Sequence, residues 1–346
     1  MKKIKTNIVL ILVLSVYTIN TINAQDVHFT QFYNSPLTLN PANTGVFNGN
    51  MRFIANYKDQ WGKVTNPYKT YGFSYDAGLL KQKWANGYLG FGLSFFNDKA
   101  GDSKLGLTQV NLSASCLRIL DRNNSISAGI QGGLAQRSFT ANTLTWDNQY
   151  NGLYYDSAIP ADESFNTNAF YYSDYSAGVL WTYKKNERFS TSNNHFYANF
   201  GGAVLHINKP HQTFFEKSDN LNRKYVFHGG LTYGLNNTKT SIIPGFLAVF
   251  QGTSKEITFG SMIKREFIEA SHYTGFIKNA SFYFGGYYRW SDAILLSAQL
   301  EIFDWLLGVS YDINVSKLKS ASYYMGGLEI SVRYIYPLKV RYKSKF

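Results

Sequence analysis

The sequence predicts an all-β chain: a transmembrane antiparallel up-and-down β-barrel of about 14 strands, preceded by an N-terminal periplasmic or plug-like segment. Three observations predict it. Segments such as KTYGFSYDAGL from Lys69, NGYLGFGLSFF from Asn86 and DWLLGVSYDIN from Asp304 alternate apolar or aromatic with small or polar side chains. No segment after the N-terminus is apolar for the roughly 20 residues that a spanning helix needs. Aromatics reach 17% of the chain, with 27 Tyr and 26 Phe, enough to supply girdles at two membrane interfaces. Side chains alternate between the faces of a strand, so Tyr71, Phe73, Tyr75, Ala77 and Leu79 should share the outer face. Thr70, Gly72, Ser74, Asp76 and Gly78 should share the inner one. An open sheet carrying that outer face would aggregate at its edges, and closure removes the edges.

Residues 1–24, MKKIKTNIVLILVLSVYTINTINA, combine three lysines, an apolar stretch from Ile8 to Val16 and a small residue at Ala24. This is the pattern of a secretory signal peptide, so the mature chain should begin at Gln25. Losing Lys2, Lys3 and Lys5 takes 34 basic residues to 31 against 22 acidic ones, a net charge of +9. The basic residues are scattered, with no basic run interleaved with stacking aromatics, which argues against nucleic acid as a partner and for outer-membrane lipid headgroups or an acidic partner. A mean hydropathy of −0.24 suits barrel strands that show lipid only alternate side chains. The single cysteine, Cys116, lies in a strand-like run and reads as a small apolar side chain facing lipid.

Taken in order, residues 25–50 form the plug-like segment, with two prolines and no clean alternation. A lumen of this size is too wide for strand side chains to fill, which places that segment either in the periplasm or inside the barrel. Residues 51–346 form the barrel. Its strands centre near Ala55, Tyr75, Gly92, Asn111, Ile130, Gly178, Gly201, Gly230, Leu247, Gly260, Gly285, Ala298, Val309 and Ile330. Connectors should alternate between short periplasmic turns and long extracellular loops. The turns around Asn123, Asn237 and Asp304 are short, and residues 139–173 and 208–223 are long. Residues 266–280 are long where a short turn is due.

The 139–173 loop is rich in Tyr, Asn and Asp. Its aromatics suit an ordered cap over the mouth and equally a lid that seals it, and Asp147, Asp156, Asp162 and Glu163 make a candidate cation or partner surface. Inward polar residues, among them Asp76, Gln109, Asn111, Gln131, Asp312 and Glu329, suit a hydrated or hydrogen-bonded lumen. No histidine sits in a nucleophile motif, and Pro210 within the INKP between His206 and His211 excludes a helical metal pair. The chain is therefore read as no enzyme, with no catalytic, metal or cofactor site. The paired glycines, as at Gly201 and Gly202, are read as curvature devices.

The ordered series of segments carries a resemblance. QDVHFTQFYNSPLTLNPANTG from Gln25, NYKDQW at Asn56, FFNDKAGDSKLGL at Phe95 and GLAQRSFTANTLTWDNQY at Gly133 open it. LHINKPHQTFF at Leu205, YVFHGG at Tyr225, GGYYRWSDA at Gly285, GVSYDINVSKLKSAS at Gly308 and GGLEISVRY at Gly326 continue it. Over essentially the whole mature chain it resembles the PorP/SprF family of outer-membrane proteins of the Bacteroidetes type IX secretion system. The tail PLKVRYKSKF departs from a simple last strand, because Pro337 interrupts it before the terminal Phe346.

The resemblance implies an integral protein of the cell outer membrane that binds, and helps to export or retain, a secreted surface protein such as an adhesin of the gliding machinery. Recognition would run through that cargo's C-terminal domain, with type IX secretion components as further partners. Residues not explained by barrel making are the candidate partner-binding positions: Asn40, Pro41 and Gly45 in the N-terminal segment, Asn97, Asp98 and Lys99 in a mouth loop, and His206, Lys209 and Pro210 in another. The competing reading is a porin- or FadL-like channel for small solutes, with residues 25–50 as its plug.

Overall fold

Fourteen antiparallel strands close on themselves in a computed structural model, each pairing with its neighbours in sequence. It describes residues 28–62, 66–81, 84, 86–140, 144–160, 168–185, 195–212, 214, 220–268 and 280–337; residues 1–24, expected as a signal peptide, residues 25–27 and the tail from 338 lie outside the described residues. The first seven strands are β1 (Met51–Gln60), β2 (Tyr68–Leu79), β3 (Gly87–Ala100), β4 (Leu105–Ile119), β5 (Asn124–Ser138), β6 (Ala169–Lys185) and β7 (Phe196–Leu205). The rest are β8 (Lys224–Gly234), β9 (Thr240–Gln251), β10 (Ser254–Ile268), β11 (Ala280–Arg289), β12 (Ala293–Ile302), β13 (Trp305–Asn314) and β14 (Met325–Tyr336). Every expected strand centre falls inside one of them. β1 and β14 pair without a break from Met51 opposite Tyr336 to Gln60 opposite Gly327, so the wall has no open seam between first and last strand.

The alternation does what the sequence requires of it. Tyr71 and Phe73 of β2 are exposed on the outside, while Thr70, Ser74 and Asp76 are buried inside. Outer aromatics meet across strands: Phe53 and Tyr75 stand opposite each other with ring centroids 4.8 Å apart, as do Trp305 and Tyr334 at 4.6 Å. Each such pair contributes a few tenths to about 1 kcal/mol. Cys116 is exposed on this outer face. Among the described residues no helix is long and apolar enough to cross a membrane.

Both chain ends enter the wall at one rim, since β1 starts where β14 stops. The longest connectors, between β5 and β6 and between β7 and β8, lie at the opposite rim. The alternation of connector length is partial, because the tight turns at 252–253 and 290–292 also belong to that far rim. Three boundaries move. Residues 169–173, expected as loop, begin β6, and residues 266–268 and 280 of the anomalous connector extend β10 and β11. What remains of it, 269–279, lies outside the described residues. Asn97, Asp98 and Lys99 belong to β3 and not to a mouth loop: β3 pairs with β4 as far as Ala100 opposite Leu105.

The interior has two characters. Towards β1–β5 and β13–β14 it is polar, as expected from Asp76, Gln109, Asn111, Asp312 and Glu329, all buried. Towards β7–β12 it is apolar, with Ala203, Val226, Leu247, Met262, Tyr287 and Leu295 packed together. The sequence reading named the polar inward residues and not this apolar cluster. An inward apolar residue and a lipid-facing one have the same pattern in sequence.

Candidate functional site in the lumen and at the far rim

Residues 28–45 lie inside the barrel, and their two faces match the two halves of the wall. They include a 3-10 turn at Phe32–Asn34, one α-helical turn at Pro36–Leu39 and a second 3-10 turn at Pro41–Asn43. Prolines open the last two because the first helical position needs no N–H donor. Phe32 joins the apolar half and meets the Tyr287 ring edge-on at 5.3 Å. Polar residues anchor the other face.

The upper anchor is a buried carboxylate. Glu329 of β14 accepts the backbone N–H of Thr30 at 2.6 Å and of Gln31 at 3.0 Å through its two oxygens. Two consecutive amides aimed at one carboxylate form a small anion nest. Thr30 also donates from its hydroxyl to Asp312 at 2.7 Å, and Lys58 donates to the His28 carbonyl at 3.0 Å. Beside them Arg289, 5% exposed, lies between Glu256 and Asp312 at 3.5 Å each, so the buried charges are met by opposite ones.

The middle anchor is Asn40, fully buried. Its amide donates to the Val179 carbonyl at 2.9 Å and lies 3.2 Å from His228 Nε2, while its carbonyl oxygen accepts the Ala42 N–H at 2.9 Å. One side chain therefore caps a turn and ties it to the wall. The lower anchor is Gly45, in the left-handed region at φ +72°, whose N–H donates to Asp76 at 2.8 Å. Asp76 is gripped on its other side by Arg52, which donates to both carboxylate oxygens. A Cβ at Gly45 would come within 2.9 Å of the Gly90 backbone, so only glycine fits this approach.

Below, Lys81 in the turn after β2 donates to the Phe47 and Gly49 carbonyls at 3.0 and 2.7 Å. Burial, reinforced by the nearby Arg52, lowers its pKa to about 8, with Asp76 acting in the opposite sense.

At the far rim, the described part of the β5–β6 connector is an ordered hairpin over residues 147–159. Gln149 caps it by accepting the Trp146 N–H at 3.1 Å and donating to the Ile159 carbonyl at 3.0 Å. Asn151 accepts two N–H groups at the tip, and Asp156 spends its carboxylate on the Ala158 N–H. Yet Leu153 is 85% exposed, and Tyr150, Tyr154 and Tyr155 are exposed beside it. Below the hairpin, β6 outruns β7: the ladder stops at Ala177 opposite Val204, and beyond it the β7–β8 connector takes over, with the Ile207 N–H donating to the Tyr175 carbonyl at 2.9 Å. Asn208 takes part of that edge, bonding to the Ser173 carbonyl and the Tyr175 N–H. Asp162 and Glu163 lie outside the described residues.

The nine candidate positions fall into three unlike settings. Asn40, Pro41 and Gly45 are enclosed between segment and wall. Asn97 and Asp98 pair within the strand rim, Asn97 with Thr108 and Asp98 with Thr70, each at 2.6 Å. His206 is buried against Asp174 at 3.0 Å at the start of the β7–β8 connector, Lys209 is exposed near it and Pro210 is buried. The structure does not bring the three groups together. The exposed aromatic hairpin lies in the Tyr-rich loop that the sequence marked as a cap or lid, but none of its aromatics was among the candidate positions. Among the described residues no group of three or more His, Cys, Asp or Glu could hold a metal ion.

The family model of the type IX secretion system membrane protein PorP/SprF matches residues 21–334. The chain belongs to the PorP/SprF family. It is thus an outer-membrane β-barrel associated with type IX secretion machinery. No curated protein sequence matches it. Among solved structures, the translocator domain of autotransporter NalP from Neisseria meningitidis is 12% identical, with 88% of this chain and 95% of that one covered and a TM-score of 0.34. A deltaS2S3 mutant of the TodX monoaromatic hydrocarbon channel is 9% identical, with 87% of this chain and 92% of that one covered and a TM-score of 0.44. At these values the likeness says nothing about what this PorP/SprF barrel binds.

Proposed function

We propose that this PorP/SprF barrel is a non-enzymatic docking protein that helps to export or retain a secreted surface protein, an adhesin, through that cargo's C-terminal domain. The far rim is then extracellular and the rim of the termini faces the periplasm and the secretion machine, as bacterial barrels place their ends. The observation that carries the reading is the 147–159 hairpin. Its turns are capped and its tip is ordered, yet it holds a cluster of aromatic and apolar side chains in a place where barrel packing does not use them. Apolar surface of that kind on an ordered element marks a protein contact.

Asn40, Pro41 and Gly45 then act on docking indirectly, by fixing the segment, as does the buried Pro210, whereas the exposed Lys209 contacts the partner directly.

The test is affinity purification of tagged protein from its native membrane, with mass spectrometry of what co-purifies. A large secreted protein should be recovered through its C-terminal domain, and the triple variant Leu153→Ser, Tyr154→Ser, Tyr155→Ser should lose it while keeping its barrel. Equal recovery with the triple variant would remove the hairpin from the account. A cavity of about 370 Å³ beside the lumenal segment favours the second reading, a channel for small solutes. A bilayer conductance that needs no partner and rises when residues 25–50 are deleted would favour it over the first.

A further inference from the structure

Two rungs of the wall are missing where the lumen is most apolar. The β8–β9 ladder runs from Lys224 opposite Gln251 to Gly230 opposite Gly245, stops, and resumes in the same register at Tyr233 opposite Ile242. Leu231 and Thr232 therefore face Ile243 and Pro244 without pairing. The other interruptions in described ladders, in β10–β11 and β13–β14, are bulges that shift register; this one is a gap that does not. Its cause is in the sequence. Pro244 has no N–H to donate and stands in the interior of a strand paired on both sides, where proline is otherwise avoided. Gly229, Gly230 and Gly245 beside it leave no side chains to fill the opening.

The 370 Å³ cavity sits at this gap. All four residues of the missing rungs line it, together with the inward Phe32, Met262 and Tyr287. Leu231 and Pro244 are in the outward register, alternating with lipid-facing Phe227, Tyr233, Ile242 and Phe246. The cavity thus reaches the wall at the two unpaired rungs, and what lies outside the wall at that level is hydrocarbon. The charged groups of the cavity are already matched: Arg52 with Asp76, Lys264 with Glu266 at 2.7 Å, and Arg333 with Glu301 at 3.4 Å. No cation is left over for an anionic solute, whereas the aromatic and aliphatic lining suits a chain of methylenes.

We infer that this cavity is a lateral binding site for one acyl chain of a membrane phospholipid, which enters from the bilayer through the β8–β9 gap. The chain comes from the leaflet on the side of the termini, because the gap lies next to the ends of β8 and β9 at that rim. It lies against Phe32 and so touches the lumenal segment and the membrane at once.

The test uses the full-length protein in lipid nanodiscs containing a phospholipid with a photoactivatable diazirine midway along one chain. After irradiation, adducts are mapped by mass spectrometry. Adducts are expected on Phe32, Met262 and Tyr287 as well as on outward residues. Adducts confined to outward residues would overturn the inference. Gly230→Leu should lower lumenal labelling about tenfold, the loss from displacing about two methylene groups, with outward labelling unchanged. A Cβ at Gly230 meets nothing nearer than 3.6 Å, so the wall accepts it. Pro244→Val, which restores the missing donor, should lower labelling in the same sense and carries the test if the leucine variant does not fold. Lumenal labelling at the wild-type level in folded forms of both variants would show entry through the mouth and overturn the lateral route.

Discussion

Asn40 shows how one side chain can decide the position of a segment. It holds wall and turn together with four polar contacts at a site without solvent, so Asn40→Ala should leave the Ala42 N–H and the Val179 carbonyl without it, at a cost of about 1–3 kcal/mol. That loss should appear as faster hydrogen exchange over residues 36–45 with the barrel's heat-resistant migration on gels unchanged. Glu329→Gln should loosen residues 30–31 in the same assay, because an amide retains one acceptor oxygen where two N–H groups need two. Gly45→Ala should loosen the lower end, since its positive φ and the nearby Gly90 backbone oppose any side chain.

Lys81 adds a pH dependence of definite sign. Its folded pKa, about 8, is below the ordinary lysine value, so between the two the unfolded state binds more protons and stability rises with pH. Thermal midpoints of the wild type should therefore rise relative to those of Lys81→Met on going from about pH 8 to pH 10. A constant difference across that range would remove the lysine as its source.

At the scale of elements, the strands were legible because a period of two sustained over about ten residues has no other structural reading. KTYGFSYDAGL needed nothing beyond itself to become β2. Asn97–Lys99 misled for the opposite reason. Asn, Asp and Lys are turn residues in most contexts, and only the hydroxyls of Thr70 and Thr108 on neighbouring strands make them strand residues here. The helical turns of the lumenal segment were illegible, each being a single turn held by the wall and not by periodicity. The rim hairpin lay between these cases: its aromatics were visible, but the caps by Gln149 and Asn151 that keep them exposed are contacts of geometry. Gln149→Ala should release the hairpin, reducing cargo recovery in the co-purification without loss of barrel.

For the whole molecule, what the sequence withheld is the arrangement of the lumen. A wall polar on one side and apolar on the other cannot be read from inward positions taken one strand at a time, and it explains why a short segment with Phe32 on one face and Thr30, Gln31 and Asn34 on the other occupies it. The segment is a wedge matched to both halves, so replacing Phe32 by Ser should weaken docking as Asn40→Ala does, and the pair together should raise bilayer conductance more than either alone. Unchanged conductance in the double variant would mean the segment does not limit passage.

The bonds from Thr30 to Glu329 and Asp312 span 299 and 282 residues. The part of the chain that is made first is thus fastened by the part that is made last, and the fastening strand, β14, is the one that closes the wall against β1. Loop-closure entropy makes such contacts late events in folding. The anchored segment is therefore a record of completed assembly: until the final seam has formed there is no nest for its amides. In refolding followed by pulse proteolysis, protection of residues 28–45 should arise together with heat-resistant migration, never before it, so that a partner able to sense the seated segment would distinguish finished barrels from unfinished ones.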